Sequence, residues 1–207
     1  MARFGIGIIG AGGIAQAHAA AYRRCAAAAL VAFADVNAAA ARSAAERHEC
    51  TALSVDELLA RQDIDVISIC TPPDSHADLA CRALEAGKHV LVEKPLTATL
   101  SEADRLCELS ERPGAPMVMV AHSHRFWPAN QKAKALLDEG AIGTVLSVSD
   151  DILAESRYDP ANPPWRMRRA VAGGGVVMDN GVHAFDRLRY WLDRPVTAVS
   201  GYMWTVT

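Results

Sequence analysis

The sequence predicts an α/β protein: a doubly wound parallel sheet first, then a partial α+β domain with a mixed or antiparallel sheet. Three observations carry this. Continuous apolar runs alternate with amphipathic helical patterns, as expected for strands covered on both faces. The first apolar run closes in a glycine-rich turn, GAGG, that opens directly into a helix. The alternation then stops near Ser123, and proline and arginine crowd the stretch ESRYDPANPPWRMRRAVA.

In chain order, RFGIGII (3–9) forms the first strand and a helical pattern follows to about Arg24. ALVAFAD (29–35) is the second strand, followed by an Ala-rich helix over about 38–47. The helical VDELLAR leads to a strand in DVISICT (65–71), a helix from about Asp74 to Ala86, and a strand in HVLVEKP (89–95). A helix over about Leu100 to Glu111 and the strand MVMVAH (117–122) complete this part. Beyond it come a helix at about 128–139, the strand TVLSVSDD, and the long Pro- and Arg-rich stretch, which reads as a functional loop or lid. A helix over 176–192 and a strand-like VTAVSGYMWTVT end the chain. The expected division is therefore 1–123 and 124–207.

Composition narrows the function classes. The chain has 207 residues, 51% of them hydrophobic, enough for a sizeable core. A net charge of −3 and a pI near 6.2 supply no long-range attraction to nucleic acid or an anionic membrane. No apolar run approaches the roughly 20 residues of a membrane span, and no small-residue cleavage site follows the N-terminus. The five cysteines lack CxxC spacing and read as buried, reduced thiols of a cytoplasmic protein.

Gly10, Gly12 and Ala15 form G-x-G-x-x-A between a strand and a helix. The first glycine allows the tight turn, the second lets backbone approach a pyrophosphate, and the small third residue keeps the helix close to the sheet. Asp35 ends the second strand, where a carboxylate accepts the ribose hydroxyls of NAD and repels a 2′-phosphate. Gly10, Gly12, Gly13, Ile14 and Asp35 are thus expected to hold NAD in preference to NADP, on a Rossmann sheet. The alternative is an ordinary glycine turn with a surface aspartate.

Ligands of such a sheet collect at the carboxyl ends of its strands. Thr71 and Pro72 form a rigid wall there, with His76 behind them as a contact or a helix cap. Glu93 and Lys94, both expected to contact the cofactor, precede Pro95, where the Lys94 ammonium is also suited to a substrate oxygen. Arg125 follows the last strand as a cofactor or substrate contact, or as a helix cap. Trp165 and Arg166 line the site or pack a loop.

On a helix over 176–192 at 100° per residue, Asp179, His183, Asp186 and Tyr190 share one narrow strip amid apolar residues. Asp179 near the helix start is stabilised as a carboxylate and can orient His183 as a general base. A structural Asp–His pair and a metal site built from His122, His124 and His183 are the competing readings. The lack of a carboxylate cage and the nearby Lys94 charge weigh against metal.

With these pieces in order, GIIGAGGIAQAHAAAY, FADVN, CTPPDSHADLACRALEAGKHVLVEKPLT, VAHSHRFWP, EGAIGTVLSV, PPWR and GGGVVMDNGVHAFDRLRYWL, the chain resembles the Gfo/Idh/MocA family of NAD(P)-dependent oxidoreductases. The resemblance covers essentially the whole chain. It implies hydride transfer between nicotinamide and a secondary alcohol of a sugar, polyol or related compound. Lys94, Asp179 and His183 match the family's catalytic positions. HSHRF stands where many members have Asn-Arg or Arg-Arg before Phe, WLDRPV replaces the usual Leu-Gly before proline, and members continue well beyond this length. The resemblance also implies a homo-oligomer formed through the C-terminal sheet. Two other functions stay open: an NAD-dependent glycosidase on the same scaffold, and a non-catalytic dinucleotide-binding fragment.

Overall fold

Six short apolar runs of the first part pair into one sheet. In the computed structural model, which describes residues 3–152, 161 and 164–202, these are β1 (Phe4–Ile9), β2 (Ala28–Ala34), β3 (Thr51–Leu53), β4 (Val66–Ile69), β5 (His89–Val92) and β6 (Val118–Val120). Their order is β3-β2-β1-β4-β5-β6, and every pairing is parallel. The chain winds outward from β1 to β3, then restarts beside β1 with β4. Loops leaving the carboxyl ends of β1 and β4 therefore diverge, which leaves a crevice for a ligand. β3 is an addition to the sequence reading: three residues are too few to show a period.

The helices of this part are α1 (Gly13–Arg24), α2 (Ala38–His48), α3 (Val55–Ala60), α4 (His76–Glu85) and α5 (Leu100–Ser110). Local chemistry sets their starts. Asn37 Oδ1 accepts the Ala39 and Ala40 N–H groups at the head of α2. Ser54 with Glu57, and Thr99 with Glu102, form reciprocal capping boxes on α3 and α5. α1 differs, because its cap is Gly12, which offers no side-chain acceptor.

Alternate strand positions pack on opposite faces of the sheet. Ile6, Ile8 and Phe33 pack with Ala15 and Ala19 of α1 and Ala44 of α2. Ile9, Ile67, Ile69, Val90 and Val92 pack with Leu58 of α3, Leu79 of α4 and Leu106 of α5. Burying each such Ile or Leu side chain contributes about 1.5–3 kcal/mol, which stabilises the frame around the strand ends.

The chain divides into two compact units: residues up to Ala121 with Arg157–Asp179, and His122–Ser156 with Asn180 onward. The first unit thus also holds α7 (Arg169–Ala172), which packs against the single turn Pro73–Ser75. The second contains a turn at Ser123–Phe126, then α6 (Pro128–Asp138) packed on α8 (Val182–Leu192). Trp191 Nε1 donates to the Asn130 carbonyl at 3.2 Å across that helix pair.

Three expectations are corrected. The helix over 176–192 is a π-turn, Val177–Gly181, followed by α8, so the uniform 100° spacing does not hold across it. Residues 144–151 and 196–202 form no strand and join no ladder among the described residues; residues 203–207 of the last expected strand lie outside the description. The cysteines are not all buried: Cys70 and Cys81 are, whereas Cys25 and Cys107 are exposed.

Candidate active site

The glycine loop joins β1 to α1, and its geometry fits a dinucleotide. Gly10 has φ +99°, and a Cβ there would stand 2.7 Å from the Cys70 carbonyl oxygen. A Cβ on Gly12 or Gly13 would meet nothing within 4 Å. The loop is therefore tight where it crosses β4 and open at the uncapped start of α1, where backbone N–H groups suit an anion. At the end of β2, Asp35 Oδ2 accepts the Ala11 N–H at 2.7 Å and Oδ1 accepts the Asn37 N–H at 2.8 Å. The acid thus stands beside the glycine loop.

After β4, Thr71 and Pro72 enter the turn Pro73–Ser75, and Ser75 Oγ donates to Thr71 Oγ1 at 2.7 Å. His76 is fully buried, its ring nitrogens each 2.8 Å from a carbonyl oxygen, of Thr71 and of Pro95. This corrects its expected role. An enclosed ring braces the Thr71 and Pro95 loops from behind and has no surface left for a cofactor.

Lys94 follows β5 in a cis peptide with Pro95. Its Nζ donates to the Asp179 carbonyl at 2.6 Å and to Asp179 Oδ1 at 3.2 Å, with both side chains partly buried. The segment leading to Asp179 is anchored nearby: Gly173 has φ +75°, and a Cβ there would press within 3.0 Å of the Ala98 carbonyl. The carboxylate thus holds an ammonium, a partner the sequence reading did not assign to it.

Behind Lys94 lies a pair that sequence reasoning missed. His18 of α1 places Nε2 3.0 Å from Glu93 Oε1 and Nδ1 2.9 Å from Ser68 Oγ. Glu93 Oε2 accepts the Lys94 N–H at 3.1 Å. Burial disfavours an imidazolium here, but the Cys70 sulfur and the Glu93 carboxylate outweigh it and raise His18 to about 10. Burial likewise pushes Glu93 up, yet the His18 imidazolium, the Lys94 N–H and the Lys94 charge together hold it below the ordinary carboxylate range. A signal was present: Ala15, His18, Ala19 and Tyr22 share one helical face, of which Ala15 and Ala19 are fully buried.

The remaining candidates belong to the second unit. His183, in the first turn of α8, stacks on His124 with ring centroids 4.0 Å apart, and His124 lies 3.8 Å from Trp127. Arg187 Nη1 donates to His124 Nδ1 at 2.6 Å and also pairs with Asp150. Arg125, expected as a cofactor or substrate contact or a helix cap, forks onto the buried Asp186, with Nε 2.9 Å from Oδ2 and Nη2 2.5 Å from Oδ1. Tyr190 lies under the same guanidinium, 5.7 Å to its ring centre. Two members of the polar strip are thus engaged with an arginine. Arg166 lies over the Trp165 ring at 5.8 Å in the first unit. No group of three metal-ligating side chains occurs among the described residues.

Comparison with known proteins agrees with this arrangement. Residues 4–122 match the oxidoreductase family with an NAD-binding Rossmann fold, and residues 130–207 match the GFO/IDH/MocA C-terminal domain. The chain is 35% identical over 195 residues to inositol 2-dehydrogenase of Rhizobium meliloti (strain 1021), covering 94% of this chain and 57% of that protein. It is 34% identical over 206 residues to levoglucosan dehydrogenase of Pseudarthrobacter phenanthrenivorans, covering 92% of this chain and 51% of that one. A solved levoglucosan dehydrogenase in complex with NADH and levoglucosan superposes with a TM-score of 0.82 at 32% identity, over 91% of this chain and 54% of that one. The chain spans about half the length of these relatives. With both halves matched in order, the chain belongs to the Gfo/Idh/MocA family of oxidoreductases with an NAD-binding Rossmann fold.

Proposed function

We propose that the protein containing this chain is an NAD(P)-dependent oxidoreductase acting on a secondary alcohol of a sugar, polyol or related compound. The observation that carries this reading is Lys94: a partly buried ammonium at the carboxyl end of β5, held at 2.6 Å by the Asp179 carbonyl. A cation at this rim, on the sheet that carries the glycine loop, stabilises the alkoxide that develops as a carbinol is oxidised. NAD bound at the loop supplies the hydride acceptor. Asp179 keeps the ammonium directed, and His183 takes the hydroxyl proton, directly or through Lys94, as the family resemblance assigns it. Asp35 favours NAD, since its carboxylate would repel a 2′-phosphate.

The named relatives include dehydrogenases of an inositol and of an anhydrosugar, which supports cyclic polyhydroxy compounds as the substrate class. Assembly as a homo-oligomer through the C-terminal sheet, and a cytoplasmic location, belong to the same proposal. The test is NADH formation by the full-length protein on a panel of inositols, anhydrosugars and open-chain polyols. Net NADH with at least one of them supports the reading. Glycoside cleavage with no net NADH would instead favour a transient-redox glycosidase.

A further inference from the structure

We propose that His18 and Glu93 are positioning residues: they lock the helix that starts at the glycine loop to the strand end that presents Lys94. The proposal rests on the reading of Lys94 as the catalytic cation. Glu93 uses its two oxygens on two different donors. Oε1 faces His18 Nε2 at 3.0 Å, and Oε2 accepts the Lys94 backbone N–H at 3.1 Å. The other nitrogen of His18 faces Ser68 Oγ of β4 at 2.9 Å. One side-chain chain therefore connects α1, β4 and the residue after β5, the elements that flank the crevice.

Both partners are nearly enclosed, at 13% and 12% side-chain exposure. Desolvating two charges makes a buried pair a weak source of stability compared with an apolar pair of the same volume, so a stabilising role alone accounts poorly for it. A geometric role accounts for it better. The His18 value of about 10 keeps the imidazolium, and hence the link, closed throughout the neutral range. α1 is a stiff body of twelve residues that the glycine loop enters at Gly13, so fixing His18 to Glu93 fixes the end of that loop relative to Lys94. Misplacement of a reacting group by about 1 Å costs on the order of a hundredfold in rate.

The test compares Glu93→Gln, His18→Gln and the double variant with the parent full-length protein. Glu93→Gln keeps the size and an acceptor for the Lys94 N–H but removes the charge. Expected are kcat losses of about 10–100-fold in each single variant, with KM and NADH affinity within about twofold. The double variant should be no slower than the slower single one, because the two residues act as one unit. Nitrogen-15 spectra of histidine-labelled parent protein at about pH 8 should show both His18 nitrogens protonated, and Glu93→Gln should lose that signature.

A neutral His18 in those parent spectra would overturn the proposal whether or not any variant folds. So would multiplied losses in the double variant, or parent kcat in Glu93→Gln beside an inactive Lys94→Ala. Parent turnover in Lys94→Ala would overturn the catalytic reading itself, and this inference with it.

Discussion

Replacing His18 by Gln changes how folding stability depends on pH, and the direction follows from the His18–Glu93 geometry. An unfolded histidine titrates near its ordinary value of 6.5, whereas His18 in the fold is raised to about 10. Below 6.5 both states hold the proton and the contribution of the pair is fully present. Between 6.5 and about 10 only the folded state holds it, so unfolding releases one proton. Stability then falls as pH rises, with a limiting slope of about 1.4 kcal/mol per pH unit. Glu93 acts in the opposite sense: its folded value is depressed, so its contribution is present above the ordinary carboxylate value and is lost as pH falls through the folded one. The groups facing His18 are Glu93 and Cys70 from the sheet's carboxyl ends and Tyr22 on its own helix, with Lys94 beyond Glu93. Urea unfolding followed by far-UV circular dichroism, from about pH 6 to 10, reads the slope. Titrations shared by parent and variant cancel in the difference, so the parent should lose stability faster than His18→Gln over that range. Parallel curves would refute the claim that a buried imidazolium links α1 to Glu93.

Two further outcomes follow from the loop. Gly10→Ala puts a Cβ at φ +99° and 2.7 Å from the Cys70 carbonyl, so it should cost about 1–3 kcal/mol, read as a lowered urea midpoint, and weaken NADH binding as well. Asp35→Ser removes the acceptor for the Ala11 and Asn37 N–H groups and the charge that opposes a 2′-phosphate. Fluorescence titration should show NADH affinity down about 10–100-fold and the preference for NADH over NADPH reduced, at about 1.5–3 kcal/mol for bonds to a charged group.

The sequence foretold the first unit well, because its signals are local. Strands buried on both faces must be apolar throughout, and GAGG before a helix has few other uses. The glycine positions, Asp35 and Lys94 accordingly stand at the strand ends expected of them. Other features arise from pairings distant in the chain. Lys94 meets Asp179 across 85 residues, and His18 meets Glu93 across 75; no periodicity carries such a contact. His76 looked like a cofactor contact from its strand-end position, but its burial is set by the Pro95 and Thr71 carbonyls folding over it. The partner of Arg125 was equally hidden, since Asp186 lies 61 residues away and meets it through the packing of α8 on the Ser123–Phe126 turn. The π-turn at Val177–Gly181 escaped because an assumed α-helical period conceals an inserted residue.

The central claim is that Lys94 supplies charge to the reacting oxygen and does not serve folding or cofactor binding. Its most direct measurement is the turnover of full-length Lys94→Ala, alongside its NADH dissociation constant. The account predicts an NADH affinity within about twofold of the parent and a kcat reduced at least about a hundredfold, the usual loss when an electrostatic donor is removed from a developing oxyanion. Parent-like turnover in a folded, NADH-binding Lys94→Ala would contradict it.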